Sequence, residues 1–403
     1  MILPFVAMLM AIAICPLRVP HWWESNRNKF IVSAVLGAPV LVLYLRREPG
    51  ALLHMAEEYV SFILLLAGLY VISGGIRLRG DLVATPLTNA TFLGVGSVLA
   101  SFVGTTGASM LLIRPLLQTN RERRHVKHTV IFFVFLVSNI GGMLTPLGDP
   151  PLFLGYLQGV PFAWTFRLWP QWLLMVVVLL VLYVVWDTRQ YARESLAALA
   201  RDRRELEPLR VSGTFNVAGL VGVVLAVAFL GAPLREVAIV VLAALSLWLT
   251  PRAIRRANGF TSSPMVEVAV LFFGIFLTML PALELLRLRG GELGVRRTWQ
   301  FFWASGALSS FLDNAPTYLT FLALAQGLRL PDEVVGIPNA ILAAISVGAV
   351  AMGANTYIGN APNFMVKSIA EEAGVKMPSF FGYMLYSGAI LVPLFVLVTL
   401  IFF

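Results

Sequence analysis

Apolar residues along this chain fall in long, nearly uninterrupted runs, at about 1–16, 28–45, 58–76, 129–147, 168–186, 214–231, 236–250, 265–283, 339–358 and 380–403. A run of roughly 20 apolar residues is long enough, as a helix, to cross a hydrocarbon core about 30 Å thick. About ten transmembrane helices are therefore predicted. Two further apolar stretches, about 92–117 and 301–327, are broken mid-run by small and polar residues. The first break reads Gly104-Thr105-Thr106-Gly107-Ala108-Ser109 and the second Asp313-Asn314-Ala315-Pro316-Thr317. Each stretch has room for two half-helices of 10 to 13 residues. Non-helical backbone at membrane depth survives only where protein or a water-filled cavity covers it, so both are expected to be re-entrant hairpins.

Composition sharpens that picture. Of 403 residues, 58% are hydrophobic and 13% charged, against about 25% charged in a soluble domain. The expected fold class is all-α and polytopic, which excludes soluble enzymes, secreted scaffolds and nucleic-acid binders. The net charge of +9 is then an orientation signal rather than a sign of nucleic acid. With both chain ends outside, the loops 17–29, 77–90, 119–128, 187–212, 251–263 and 367–378 become cytoplasmic and hold 20 of the 30 Lys and Arg. The outer loops hold 9, and Arg114 at a hairpin end completes the count. This obeys the positive-inside rule except at Arg287, Arg289, Arg296 and Arg297. The expected setting is a bacterial-type inner membrane, with the lipid bilayer as the main partner. The segment from Met1 to Pro16 lacks a basic leader and a small-residue cleavage site, and reads as a retained first helix. The single cysteine, Cys15, reads as packing. Segment 187–212 carries six basic and five acidic residues and reads as a solvated linker between two halves.

The halves resemble each other. Ser101-Phe102-Val103-Gly104-Thr105-Thr106 aligns with Ser310-Phe311-Leu312-Asp313-Asn314-Ala315 at an offset of 209, and Gly148-Asp149-Pro150 with Gly359-Asn360-Ala361 at 211. Between these anchors, Ser138-Asn139 and Ala354-Asn355 are taken as the starts of two polar breaks, with a five-residue length difference following. Each half thus reads helix, hairpin, broken helix, and the assigned topology makes the two repeats inverted. The expected organisation is N-terminal helices in 1–56, a first repeat in 57–186, the linker in 187–212, connecting helices in 213–262, and a second repeat with the last helix in 263–403. Paired Gly/Pro-interrupted segments in inverted repeats are the sequence signature of secondary transporters, because half-helix ends supply backbone ligands for ions.

The stretch from Ser138 to Pro151, Ser-Asn-Ile-Gly-Gly-Met-Leu-Thr-Pro-Leu-Gly-Asp-Pro-Pro, resembles the Asn…Gly-Gly…Ser/Thr-Pro-Ile/Leu-Gly-Asp pattern of NhaD-type Na⁺/H⁺ antiporters. Phe311-Leu312-Asp313-Asn314-Ala315-Pro316-Thr317 resembles the Asp-Asn-Ala/Thr-Pro hairpin tips of the ion transporter superfamily, which also holds arsenite permeases (ArsB) and citrate carriers. The resemblance spans roughly 57–373 and is nearest to the branch labelled citrate transporter or sodium:proton antiporter. It implies a secondary transporter, and homologous carriers are often homodimers. Two departures stand out. Pro150-Pro151-Leu152 replaces the hydroxyl-bearing residues that such proteins place after Gly-Asp, and Thr105-Thr106 replaces Asp-Asn at the first hairpin tip.

The candidate chemistry sits in the breaks. Asp149 and Asp313 are carboxylates at membrane depth, where an ionisable group normally marks an ion path; either could instead cap a half-helix. Asn139, Asn355, Thr356 and Asn360 offer the neutral oxygens that hard cations require, and Ser138, Thr145, Thr105, Thr106, Asn314 and Thr317 can do likewise or simply cap and cross-link helices. Asp149, Asp313, Asn139 and Asn355 form the expected Na⁺ set. Glu58 and Glu267, near the expected starts of matching helices, read as interfacial. Arg114 reads as a residue extending to the cytoplasmic surface, and His125 and His128 as loop histidines, with pH sensing the functional alternative. No Walker A sequence, HExxH or nucleophile–base set is present, so no enzyme activity is expected, and no cofactor beyond transported Na⁺ and H⁺. The expected function is Na⁺ (or Li⁺) exchange for H⁺ by alternating access. The alternative is cation-coupled transport of citrate or another dicarboxylate, with small ions or a small organic anion as the partner.

Overall fold

The computed structural model describes residues 2–204 and 206–403; Met1 of the first expected span and Glu205 of the expected linker lie outside the described residues. The N-terminal part comprises α1 (Leu3–Arg18), the single turn α2 (Pro20–Trp23), α3 (Asn26–Arg47) and α4 (Pro49–Ser73). The first hairpin and broken helix follow as α5 (Pro86–Val103), α6 (Thr105–Thr119), α7 (Lys127–Leu136) and α8 (Pro150–Leu157). Then come α9 (Trp169–Tyr191), the short α10 (Leu196–Arg204), α11 (Phe215–Phe229), α12 (Leu234–Leu249) and α13 (Arg252–Ala257). The second half holds α14 (Ser263–Arg289), α15 (Thr298–Ser309), α16 (Asn314–Gln326), α17 (Asn339–Met352), α18 (Ala361–Glu372) and α19 (Phe380–Phe402). Strand structure among the described residues is confined to β1 (Arg77–Arg79) and β2 (Arg210–Ser212), paired antiparallel.

Among the described residues, six helical segments are long and apolar enough to cross a membrane: 26–47, 49–73, 86–103, 162–191, 263–293 and 380–402. Four shorter apolar helices accompany them, at 3–16, 127–143, 215–229 and 339–355. Val177, Val181 and Val185 of α9 and Leu385 and Leu400 of α19 are exposed, as side chains against lipid tails would be. The chain is an all-α, multi-pass membrane protein. Its interior is knitted by aromatic contacts: the Phe62 ring of α4 lies 4.7 Å from Phe272 and 5.7 Å from Phe276 of α14, and 6.4 Å from Phe153 of α8.

The polar connections gather on two opposite faces. On one face Lys29 pairs with Glu267 at 2.6 Å, Asn258 donates to the Ile76 carbonyl at 2.7 Å, the Asp81 N–H donates to the Glu207 carbonyl at 2.8 Å, and Arg123 pairs with Asp187. On the other, Gln158 donates to Glu58 at 2.6 Å, Arg287 donates to Gln158 and Gln326, and Trp164 donates to Asn339 at 2.6 Å. The open end of the α5–α6 hairpin lies on the first face, where Asn89 and Asn120 exchange hydrogen bonds. The open end of α15–α16 lies on the second, where Gln326 bonds to Arg287 and Val335. The hairpins therefore enter from opposite faces.

Three expectations change. The first hairpin arm is 18 residues rather than 10 to 13, because Thr85 caps the Thr88 N–H and Pro86 starts the helix well before the apolar run. Helix α4 begins at Pro49, so Glu58 lies inside it instead of near its start. Segment 187–212 is not merely a solvated linker: it forms α10 and β2, and Asp187 and Asp202 are 0% and 1% exposed. These two acids are buried because they find partners, Asp187 with Arg123 and His128, Asp202 with the Ala84 N–H.

Candidate functional site

Both breaks fold back on themselves at glycines. A Cβ on Gly148 would overlap the Gly142 carbonyl, and one on Gly359 would stand 2.5 Å from the Gly353 oxygen. Only glycine lets the backbone fold back this closely. The matched bonds continue outward. Ser101 Oγ donates to the Gly141 carbonyl at 2.5 Å, and Ser310 Oγ to that of Met352 at 3.1 Å. Thr145 Oγ1 donates to the Ser101 carbonyl, and Thr356 Oγ1 to that of Ser310 at 2.5 Å. The same two threonine oxygens accept from the N–H groups of Leu147 and Ile358 at 3.1 and 3.2 Å.

These pairs hold a constant offset of 211 from Gly141 to Asp149, which corrects the alignment of Ser138-Asn139 with Ala354-Asn355. The five-residue difference is present but precedes the match: the first helix unwinds after Leu136 and the second only after Met352, leaving 13 and 8 residues outside α-helix.

The two breaks meet at Asp149. It sits at the N-cap position of α8 but makes no cap bond, and it is 1% exposed. Its Oδ1 accepts from Thr105 Oγ1 at 2.9 Å and Asn360 Nδ2 at 3.0 Å, and its Oδ2 from Asn314 Nδ2 at 2.5 Å. Thr105 opens α6, Asn314 opens α16 and Asn360 precedes α18. Four helix N-termini thus converge on one carboxylate, and the positive ends of their dipoles favour negative charge there. Asp149 and Asn360 occupy equivalent places in the two breaks and bond directly to each other.

Asn360 ties in more of the expected residues. Its Nδ2 also lies 3.1 Å from the Ser138 carbonyl and 3.3 Å from Asn139 Oδ1. Ser138 Oγ shares a hydrogen with Ser109 Oγ at 2.8 Å. Asn139 Nδ2 donates to Asn363 Oδ1 at 2.7 Å, and Asn363 Nδ2 donates to the carbonyls of Gly353 and Thr356, each at 2.9 Å. Asn363, Ser101, Ser109 and Ser310 were absent from the sequence-based candidates. The serines had a signal, since Ser101 and Ser310 are in register in the repeat. Asn363 had only its polarity near the start of an otherwise apolar turn.

Other candidates make no hydrogen bond to Asp149. Asp313 is half-buried and caps α16 through the Ala315 N–H at 3.0 Å. Thr317 donates to the Asp313 carbonyl within its own helix at 2.9 Å. The Thr106 side chain is half-buried and has no hydrogen-bond partner among the described residues. Asn355 donates to Ser310 Oγ at 2.9 Å, leaving its own Oδ1 buried and unpartnered, as is Asn314 Oδ1. Of the four expected Na⁺ ligands, Asp149 and Asn139 share Asn360 as a donor, the charge of Asp313 acts on Asp149, and Asn355 bonds to Ser310. No cluster of three or more acidic, His or Cys side chains suited to a metal ion occurs among the described residues.

Glu267 is taken up by Lys29, and Glu58 by Gln158 and His54, the latter at 3.1 Å. His125 and His128 diverge, to Glu194 at 3.2 Å and Asp187 at 2.8 Å. Glu194 lies outside the spans; burial opposes its charge, but the N–H groups of Arg124 and His125 and the His125 ring hold its carboxyl below the usual range.

The model of the family described as "Putative citrate transport" matches residues 1–403. The chain belongs to this family. None of the curated proteins compared with the chain matches it. Membership makes the chain a secondary transporter.

Proposed function

We propose that this transporter exchanges Na⁺ (or Li⁺) for H⁺ by alternating access across a bacterial-type inner membrane, with Asp149 as the group the two ions share. The observation that carries this reading is the charge of the convergence. Its hydrogen-bonded core holds one carboxylate and a set of carboxamides and hydroxyls, and no Lys or Arg bonds to any of them among the described residues. Such a centre attracts a cation and repels a free polyanion. The unpartnered carbonyl oxygens of Asn314 and Asn355 have the hardness that Na⁺ prefers. An unmet buried acceptor is costly, and a cation would relieve it. The matched breaks, entered by hairpins from opposite faces, give the two access states a structural basis.

A second reading is cation-coupled transport of citrate or another dicarboxylate. The convergence of four helix N-termini favours it, because such ends bind carboxylates, and so does the family's description. Proteoliposomes separate the two. Dissipation of an imposed ΔpH on adding Na⁺ or Li⁺, lost in Asp149→Asn at equal reconstitution, supports exchange. Citrate uptake that requires Na⁺, without cation-driven proton flux, replaces it with the second reading.

A further inference from the structure

The loop after the first hairpin and the end of α18 enclose a cleft of about 800 Å³ on the face where Arg123 meets Asp187. Arg114, Arg124 and Lys127 line it from the first half of the chain, and Lys376 from the second. Among the described residues none of these four side chains has an ion-pair or hydrogen-bond partner, and Arg124 offers only its backbone N–H to Glu194. Glu372 is, among the described residues, the one carboxylate on the wall. Arg121 and Arg123 also reach the cleft but are engaged by Glu122 and Asp187. Four uncommitted cations against one carboxylate leave an excess of three positive charges.

The carbonyl ends of α6 and α18 do not absorb this excess. Backbone N–H groups already close them: Asn120 bonds to the Leu117 carbonyl, Ala373 to that of Ile369 and Val375 to that of Ala370. Like charges gathered in a cleft repel unless a counter-ion joins them, and Arg and Lys together suit the oxygens of a phosphoryl group.

We infer that this cleft binds a phosphate-bearing anion, which bridges the open end of the first hairpin to α18. The shared chemistry is a phosphoryl oxyanion, supplied either by an anionic phospholipid headgroup or by a soluble phosphate compound. Because α6 and α18 begin at the Asp149 convergence and end at this cleft, the bridge would restrain the two half-helices relative to each other. The inference does not depend on which ion Asp149 carries.

The test is thermal unfolding of the full chain in neutral detergent, followed by tryptophan fluorescence. Phosphatidylglycerol, phosphatidylcholine and inorganic pyrophosphate are titrated separately at moderate salt. A saturable rise in Tm with phosphatidylglycerol alone assigns the site to a lipid headgroup. A saturable rise with pyrophosphate, with or without the lipid, assigns it to a soluble phosphate. Arg124→Gln/Lys127→Gln/Lys376→Gln should raise the half-saturating concentration at least tenfold, and Glu372→Gln should lower it two- to fivefold. Absence of a saturable shift with either anion overturns the inference. So does an equal shift with phosphatidylcholine, or a half-saturating concentration unmoved by both variants.

Discussion

The segments Gly142–Asp149 and Gly353–Asn360 share one backbone design and the same Gly, Thr and Gly positions, but end in different chemistry. In both, a glycine pair folds the chain back on itself and a threonine ties the turn to the serine of its own hairpin. One segment ends in a carboxylate and the other in a carboxamide, and the two touch at 3.0 Å. The scaffold is duplicated and the charge is not. A second carboxylate opposite Asp149 would place like charges in contact, which disfavours ionising both. The carboxamide keeps the polar contact and can donate to its partner.

The largest expected effect tests this asymmetry. Asp149→Asn should reduce ion-driven flux by roughly 100-fold or more, since even losing a supporting partner of an ion ligand costs about 10–100-fold. The exchanged pair, Asp149→Asn with Asn360→Asp, restores one carboxylate facing one carboxamide. It should recover a measurable part of that flux in the same vesicle assay. A double variant as inactive as the single one would confine the equivalence of the two breaks to their backbones.

Next in size are the glycines. Gly148→Ala should destabilise the protein by about 3 kcal/mol, the upper end for an overpacked core, because its Cβ would overlap the opposing carbonyl. Gly359→Ala should cost about 1–2 kcal/mol, its Cβ standing 2.5 Å from the nearest backbone oxygen. Melting in detergent checks the order, and a reversal would mean that the first break relaxes more easily than the second.

The smallest effect concerns the loops, where the halves also differ. Asp81 is 3% exposed in the first half, and Gly290 stands 209 residues further on. Burial, then the nearby Glu122 and Asp202 carboxylates, raise the Asp81 carboxyl to about 6, against the pull of Arg121 and the Leu82 N–H. A carboxyl raised on folding stabilises the fold most when protonated, below its unfolded value near 4, and that contribution fades as pH rises through about 6. Protection from hydrogen exchange in the 81–85 and 202–204 backbone, taken relative to the intrinsic exchange rate at each pH, should therefore fall across this window in the wild type. Asp81→Asn should flatten the response; an unchanged slope would assign it to another group.

Much of the architecture was legible because lipid imposes a simple rule. Spans must be apolar, and a broken span must hide its backbone, so the runs, the glycines and the clustered Asn, Ser and Thr stood out. The roles of individual polar residues were less legible. Asp149 and Asp313 look alike in sequence, but Asp313 turns back to cap α16 while Asp149 leaves its own helix uncapped and gathers donors from three others. Asn355 resembled the partner of Asn139, but the glycine turns set the register and match Gly353 to Gly142. The charged segment 187–212 looked solvated because composition counts charges without showing that Arg123, 64 residues before Asp187, would meet it.

The sequence by itself determined that this chain lives in a membrane, that it carries two interrupted hairpins and two interrupted helices, and that polar oxygens collect at the interruptions. These follow from local chemistry: hydrocarbon length, the freedom of glycine and the orphaned groups at helix ends. Only the tertiary structure decided which oxygens face one another. A hydrogen bond needs its partners within about 3 Å, and residues more than 160 positions apart, such as Asp149 and Asn314, reach that distance only once the rotation and depth of each half-helix are fixed by packing.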